Sequence, residues 1–286
     1  MNPPEQEPIA SPHNPRIKSA AGLHKKHERD RNGSMLIEGV RELSRALESG
    51  IDIIEVFWCP DLLDQETGAP IIRGIERRNI PIIAVGRRAY EKLVYREASG
   101  GLVAVARQPS HALADLPEKE CPLYLVVDAI EKPGNLGALL RSADAAGVTG
   151  LIASDRHTDL YNPNVIRASL GTVFTLPIAI SSAVETIGWL EARAIAIIAA
   201  TPDAALCYTD VDLTVPLAIV VGSEDAGLGP EWLKAIGTRV RIPMRGSADS
   251  LNVSAAATIL LYEALRQRDE SNRQSAPSRK TGHADA

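Results

Sequence analysis

The sequence predicts an α/β protein in two units, each built from apolar strands alternating with amphipathic helices. Three observations carry that expectation. Residues 123–128 and 217–221 are uninterrupted apolar runs, the pattern of strands buried on both faces of a parallel sheet. Between such runs, apolar residues recur at helical spacing, as at Leu136, Leu139, Leu140 and Ala143. Residues 108–122, proline-bearing and of mixed charge, read as a linker between a first unit at 16–107 and a second at 123–268. Residues 1–15, with Pro3, Pro4, Pro8, Pro12 and Pro15, offer little to bury and are expected to be disordered, as is the polar tail at 269–286.

In the first unit, residues 16–31 read as one basic helix bearing Arg16, Lys18, Lys25, Lys26, Arg29 and Arg31, either a solvated face or a phosphate-contacting one. Strands follow at 35–37, 53–58, 80–85 and 102–106, with helices at 40–49, 70–78 and 88–93. In the second unit, strands at 123–128, 150–153, 195–199 and 217–221 alternate with helices at 135–146, 164–170, 183–192 and 230–236. Gly147 closes the first of these helices. The last strand ends at Ile242, where Pro243 removes a backbone donor. A polar turn at 246–250 leads into a helix whose Val253, Ala256, Ala257, Leu260, Leu261 and Ala264 share one face. Asn252 or Ser254 can cap that helix, and Ser250 and Asn252 flank Leu251 on its rim.

Composition narrows the function. Aromatic content of 4% argues against a stacking platform for single-stranded nucleic acid, and a net charge of −5 confines any nucleic-acid contact to a local patch. Cys59, Cys121 and Cys207 are too dispersed for a disulfide framework or a zinc site and read as small buried residues. His24 and His27 alone have metal-ligand spacing, but in a Lys/Arg-rich helix a solvated face is the better reading, so no metal is expected. No run reaches the length of a membrane span and the first residues have no apolar core, which together point to the cytoplasm.

Three turns could carry chemistry. Residues 132–137 (KPGNLG) open a helix after a strand, yet neither GxGxxG nor GK[ST] is present, which disfavours a nicotinamide dehydrogenase and a P-loop enzyme. Gly137 allows close backbone approach to a ligand, and Arg141, among Leu139, Leu140, Ala143 and Ala145, is a candidate cation on a buried face or one half of a structural ion pair. Residues 221–230 (VGSEDAGLGP) place glycines after a strand where a flat ligand could approach, with Glu224 to receive a cation or hydroxyl or simply to cap the next helix. The third turn is the loop at 242–254.

Taken in order, NLGALLRSADAAGV, IVVGSEDAGL and IPMRGSADSLNVSAAATILLYE resemble the three motifs of the SpoU (TrmH) family of RNA ribose 2′-O-methyltransferases, of the SPOUT class. The stretches SMLIEGVRELSRALESG and IDIIEVFWCPDLL resemble the substrate-binding domain that precedes many such enzymes, a small α/β fold like an RNA-binding ribosomal protein. The resemblance implies a deep trefoil knot in the second unit, S-adenosylmethionine as methyl donor, and pairing as a homodimer through the knotted domain. It places Asn135, Arg141, Glu224, Ser250 and Asn252 around the reacting centre and Thr201, Gly222, Ile242 and Leu251 against the cofactor. A separate substrate domain favours large-subunit ribosomal RNA, with the basic helix and Arg87, Arg88, Lys92 and Arg96 as a phosphate-binding face. A transfer RNA methyltransferase and a non-catalytic RNA-binding protein of the same fold are the alternatives.

Overall fold

Strands β1 (Ser34–Glu38), β2 (Ile53–Trp58), β3 (Ile82–Ala84) and β4 (Leu102–Arg107) form the first sheet, in the order β1-β4-β2-β3. A computed structural model describes residues 7–95, 100–154, 159–223 and 227–275. β4 is antiparallel to both its neighbours, and β2 and β3 are parallel. One face is covered by α1 (Pro15–Gly22) and α5 (Arg87–Leu93), which bury Ile17, Ala20, Tyr90 and Leu93 against Leu36 and Phe57. The other carries α3 (Val40–Glu48) and α4 (Gln65–Arg77), and its core runs without a break into that of the second unit.

The basic stretch divides into α1 and α2 (Lys26–Asn32), because the chain breaks helical geometry at Lys25. Arg29 departs most from the expected solvated face. It is 1% exposed, donates to the carbonyls of Leu23 and His24 at 2.8 and 2.9 Å, and pairs with Asp159 of the second unit. Residues 7–15 are not loose either: Ile9 bridges to Val85, its amide donating to Ala84 O at 2.9 Å. The helix expected from Pro70 begins five residues earlier at Gln65, with Asp64 Oδ1 accepting from the Thr67 amide at 2.9 Å and Pro70 inside it.

The second sheet has seven strands in the order β7-β6-β5-β10-β8-β11-β9, every pair parallel. They are β5 (Leu123–Val127), β6 (Gly150–Ala153), β7 (Ile178–Ile180), β8 (Ala196–Ala200), β9 (Leu206–Cys207), β10 (Leu217–Val221) and β11 (Thr238–Arg241). β5 and β10 lie side by side at the centre and are buried at every residue, as their unbroken apolar sequence requires. The helices are α6 (Pro133–Ala145), α7 (Pro163–Ala168), α8 (Ala183–Glu191), α9 (Pro230–Ala235) and α10 (Val253–Ser275). Gly147, at φ 59°, ends α6 in the left-handed conformation.

α10 packs against α6 and β10. It runs seven residues beyond Arg268, into the tail expected to be disordered; Glu263 and Glu270 pair with Arg266 along its surface, and Arg268 donates to the carbonyls of Cys121, Pro122, Leu213 and Val215. Of the cysteines only Cys59 is buried; Cys121 is exposed and Cys207 half-buried. The linker is pinned to the second sheet, since His111 O accepts from the Ile180 amide at 2.8 Å and the imidazole bridges Ile178 O and Tyr161 Oη. No helix among the described residues is long and apolar enough to cross a membrane.

Candidate active site

Three loops converge at the carboxyl edge of the second sheet, where a cavity of about 260 Å³ opens. Parallel strands place all their C-termini on one edge, so the loops after β8, β10 and β11 meet there. Thr201 enters from the end of β8, its amide donating to Val240 O at 2.9 Å. Gly222, Ser223, Gly227 and Leu228 come from the loop after β10, and Ile242, Met244, Ser250 and Leu251 from the segment after β11. All four residues expected to hold a cofactor therefore line one cavity, with Ser250 beside them.

The loop after β10 folds back on itself. Ser223 and Gly227 exchange both backbone hydrogen bonds at 3.0 Å, and a Cβ at Gly222 would stand 2.2 Å from Gly227 O. Glycine is needed at 222 because the returning limb of the loop occupies the space of a side chain. The close approach at Gly137 has a different partner from the ligand expected. A Cβ there would lie 2.4 Å from that of Ala168 and 2.9 Å from the Ser169 amide nitrogen, so this glycine seats α6 against α7.

Asn252 lies in the chain between the lining residues Leu251 and Val253. Asn252 Nδ2 donates to Asn135 Oδ1 at 3.0 Å, joining the start of α6 to the loop that precedes α10. Asn252 also caps α10, its Oδ1 accepting from the Ser254 amide at 3.0 Å. Ser142 and Thr258 hydroxyls lie 2.6 Å apart two turns further along α6. Arg141 is exposed rather than on a buried face, and it makes no ion pair or hydrogen bond among the described residues. A guanidinium left in solvent costs nothing to hold there and is available to an anion. Glu224, and Arg96 of the first unit, lie outside the described residues. Sequence reasoning singled out none of Leu228, Leu233, Met244 and Asp249 as site residues, and Leu233 stands 43% exposed on α9.

Residues 122–262 match the model of the SpoU rRNA Methylase family, and residues 14–104 that of the MRM3-like substrate binding domain. The 23S rRNA (uridine(2479)-2′-O)-methyltransferase of Streptomyces viridochromogenes is 34% identical over 86% of this chain and 87% of its own length. The chain belongs to the SpoU family. The 23S rRNA (guanosine(2553)-2′-O)-methyltransferase RlmP of Bacillus subtilis is 29% identical, over 89% of this chain and 97% of that protein. Among solved structures, the SpoU methyltransferase AviRb from Streptomyces viridochromogenes in complex with AdoMet superposes with a TM-score of 0.83 at 33% identity, covering 90% of this chain and 99% of that one.

The cavity suits the cofactor that this SpoU member carries. Its walls are mostly apolar side chains and loop backbone, as an adenosine requires, and the buried Thr201 hydroxyl has no hydrogen-bond partner among the described residues. A buried hydroxyl without a partner is costly unless a ligand supplies one.

Proposed function

We propose that this SpoU family enzyme transfers a methyl group from S-adenosylmethionine to a ribose 2′-hydroxyl of large-subunit ribosomal RNA. The observation that carries the reading is the single cavity formed by Thr201, Gly222, Ile242, Ser250 and Leu251, beside the Asn135–Asn252 pair. The two relatives from Streptomyces viridochromogenes and Bacillus subtilis act on 23S rRNA by name, and the organisation into a substrate unit (16–107), a linker (108–122) and a catalytic unit (123–268) fits a bulky folded RNA. A ribosomal RNA substrate implies an enzyme of the cytoplasm.

When bound, S-adenosylmethionine supplies an electrophilic sulfonium methyl. Gly222, Ile242 and Leu251 hold the adenosine through backbone and apolar contact, and Thr201 supplies a hydroxyl. Ser250 and Asn252 orient the ribose, with Asn135 fixing the Asn252 amide. Arg141 is not the base, because a guanidinium does not give up its proton at neutral pH. It stabilises the developing alkoxide and an adjacent phosphate, and the hydroxyl proton leaves to solvent or to a phosphate oxygen. Glu224 belongs to the same centre by motif.

The segment after β11 forms the knot in this reading. β11 lies between β8 and β9, yet the chain beyond it returns to pack α10 on α6 and β10, which supports threading through a loop. Homodimer formation through this unit is part of the proposal, with Tyr262, 50% exposed on α10, available to such a contact. On the first unit, Lys18 on α1 and Arg88 and Lys92 on the adjacent α5 are exposed and make no ion pair among the described residues, which supports a phosphate-binding role. Labelled methyl incorporation into purified ribosomal RNA and transfer RNA tests the reading: transfer to ribosomal RNA is expected, and transfer to transfer RNA alone would replace the substrate assignment.

A further inference from the structure

Beneath the cavity lies a polar network that the chemistry above leaves unused. Asp128 follows β5 and is 7% exposed. Its Oδ1 accepts from Ser154 Oγ at 2.7 Å, and Ser154 Oγ accepts in turn from Trp232 Nε1 at 3.1 Å. Its Oδ2 accepts from the Gly229 amide at 2.9 Å, where α9 begins. No cation pairs with Asp128 among the described residues. A carboxylate this deep is expensive and is tolerated only where its oxygens are hydrogen-bonded.

What these bonds hold is the glycine loop. The Asp128 amide donates to Val221 O at 2.9 Å, where the chain leaves β10, and its carboxylate holds Gly229, where the chain enters α9. One residue thus grips both ends of the segment whose Gly222–Ser223 and Gly227–Leu228 limbs line the cavity, and α9 adds Leu233 to the same wall. Asp128 itself is not among the residues that line the cavity. An ionised acceptor at a helix start makes a stronger bond to an amide than a neutral one would.

We propose that Asp128 is a positioning residue for cofactor binding, holding the loop after β10 in its binding shape before S-adenosylmethionine arrives. Ordering that loop in advance removes part of the entropy loss of association. The inference rests on the cavity being the cofactor site. Removing the carboxylate loosens the loop but leaves the groups around the ribose in place, so affinity falls while turnover at saturating cofactor holds.

The test is calorimetric titration of S-adenosylmethionine into full-length Asp128→Ala, Asp128→Asn and Gly222→Ala proteins, with kcat and KM alongside. Losing a charged acceptor is expected to weaken binding in Asp128→Ala by about 10- to 100-fold. Its kcat at saturation is expected within about three-fold of wild type, and Asp128→Asn, which keeps an oxygen for the Gly229 amide, is expected to recover most of the affinity. Wild-type affinity in Asp128→Ala, or a loss confined to kcat, overturns the inference. Gly222→Ala tests the cavity assignment separately: binding retained there shows that the cofactor site lies elsewhere, whatever Asp128 does. Should Asp128→Ala fail to fold, hydrogen exchange at the Gly229 amide of the cofactor-free wild type decides. Protection is expected, and exchange at the rate of a free amide overturns the proposal.

Discussion

Replacing Gly222 by alanine offers a sharp perturbation of the proposed cofactor site, because its cost follows from the clearances around an added Cβ. The added Cβ would stand 2.2 Å from Gly227 O, 2.4 Å from Gly227 C and 2.7 Å from the Leu228 amide nitrogen. Ordinary van der Waals contact begins at 3.4 Å, so the returning limb must retreat by 3.4 − 2.2 = 1.2 Å. Every obstructing atom is backbone, so no rotamer change relieves the clash, and Gly222 lacks the positive φ that would add conformational strain. A shift of that size breaks the 3.0 Å bond from the Ser223 amide to Gly227 O. The lost hydrogen bond costs about 1 kcal/mol and forced overpacking about 1–3 kcal/mol. Restoring the loop to bind cofactor therefore weakens affinity by about 2–4 kcal/mol, roughly 30- to 900-fold. Calorimetric titration with S-adenosylmethionine measures this directly. An affinity within about three-fold of wild type would show that the loop does not face the cofactor.

The remaining predictions concern chemistry, RNA and pH. Arg141→Ala is expected to bind S-adenosylmethionine nearly normally and to lose methyl transfer by about 100-fold or more, read as kcat under single-turnover conditions. Reversing Lys18, Arg88 and Lys92 to glutamate is expected to weaken RNA binding at low salt and to flatten its salt dependence, by about 0.7–0.9 in log–log slope for each phosphate no longer neutralised; an unchanged slope removes this face from the interface. Burial pushes the Glu38 carboxyl up to about 7, against the pull of the Tyr95 amide at 3.0 Å. With the folded value above the usual 4.5, its contribution to stability is complete below about 4.5 and is lost as pH rises through about 7. Glu38→Gln is expected to melt like wild type near pH 4.5 and to be more stable at pH 8 by ~2–3 kcal/mol, which thermal melts at the two pH values check.

The central strands were legible because burial on both faces leaves an unbroken apolar signature, as in residues 123–127 and 217–221. β7 and β9, of three and two residues, were not, because so short a strand has no periodicity to read and is fixed by its neighbour in the sheet. Thr201, Gly222, Ile242 and Leu251 were gathered by family motif, since no local pattern could bring residues from three separate loops together. Arg141 shows the limit of apolar context: its flanking leucines face the core, while its own position on α6 faces solvent. Arg29 shows the converse, a cation that sequence assigns to the surface and Asp159 draws inside. The Asp128 network was invisible in the sequence because its partners at Ser154, Gly229 and Val221 lie at least 26 positions away.

The most direct test is to map 2′-O-methylation by mass spectrometry of nuclease-digested large-subunit ribosomal RNA after incubation with S-adenosylmethionine and either wild-type or Arg141→Ala protein. A ribose-methylated nucleotide gained with the wild type and missing with the variant is the expected result. A methyl group on a base, or equal ribose methylation by the two proteins, would contradict the assignment of this site.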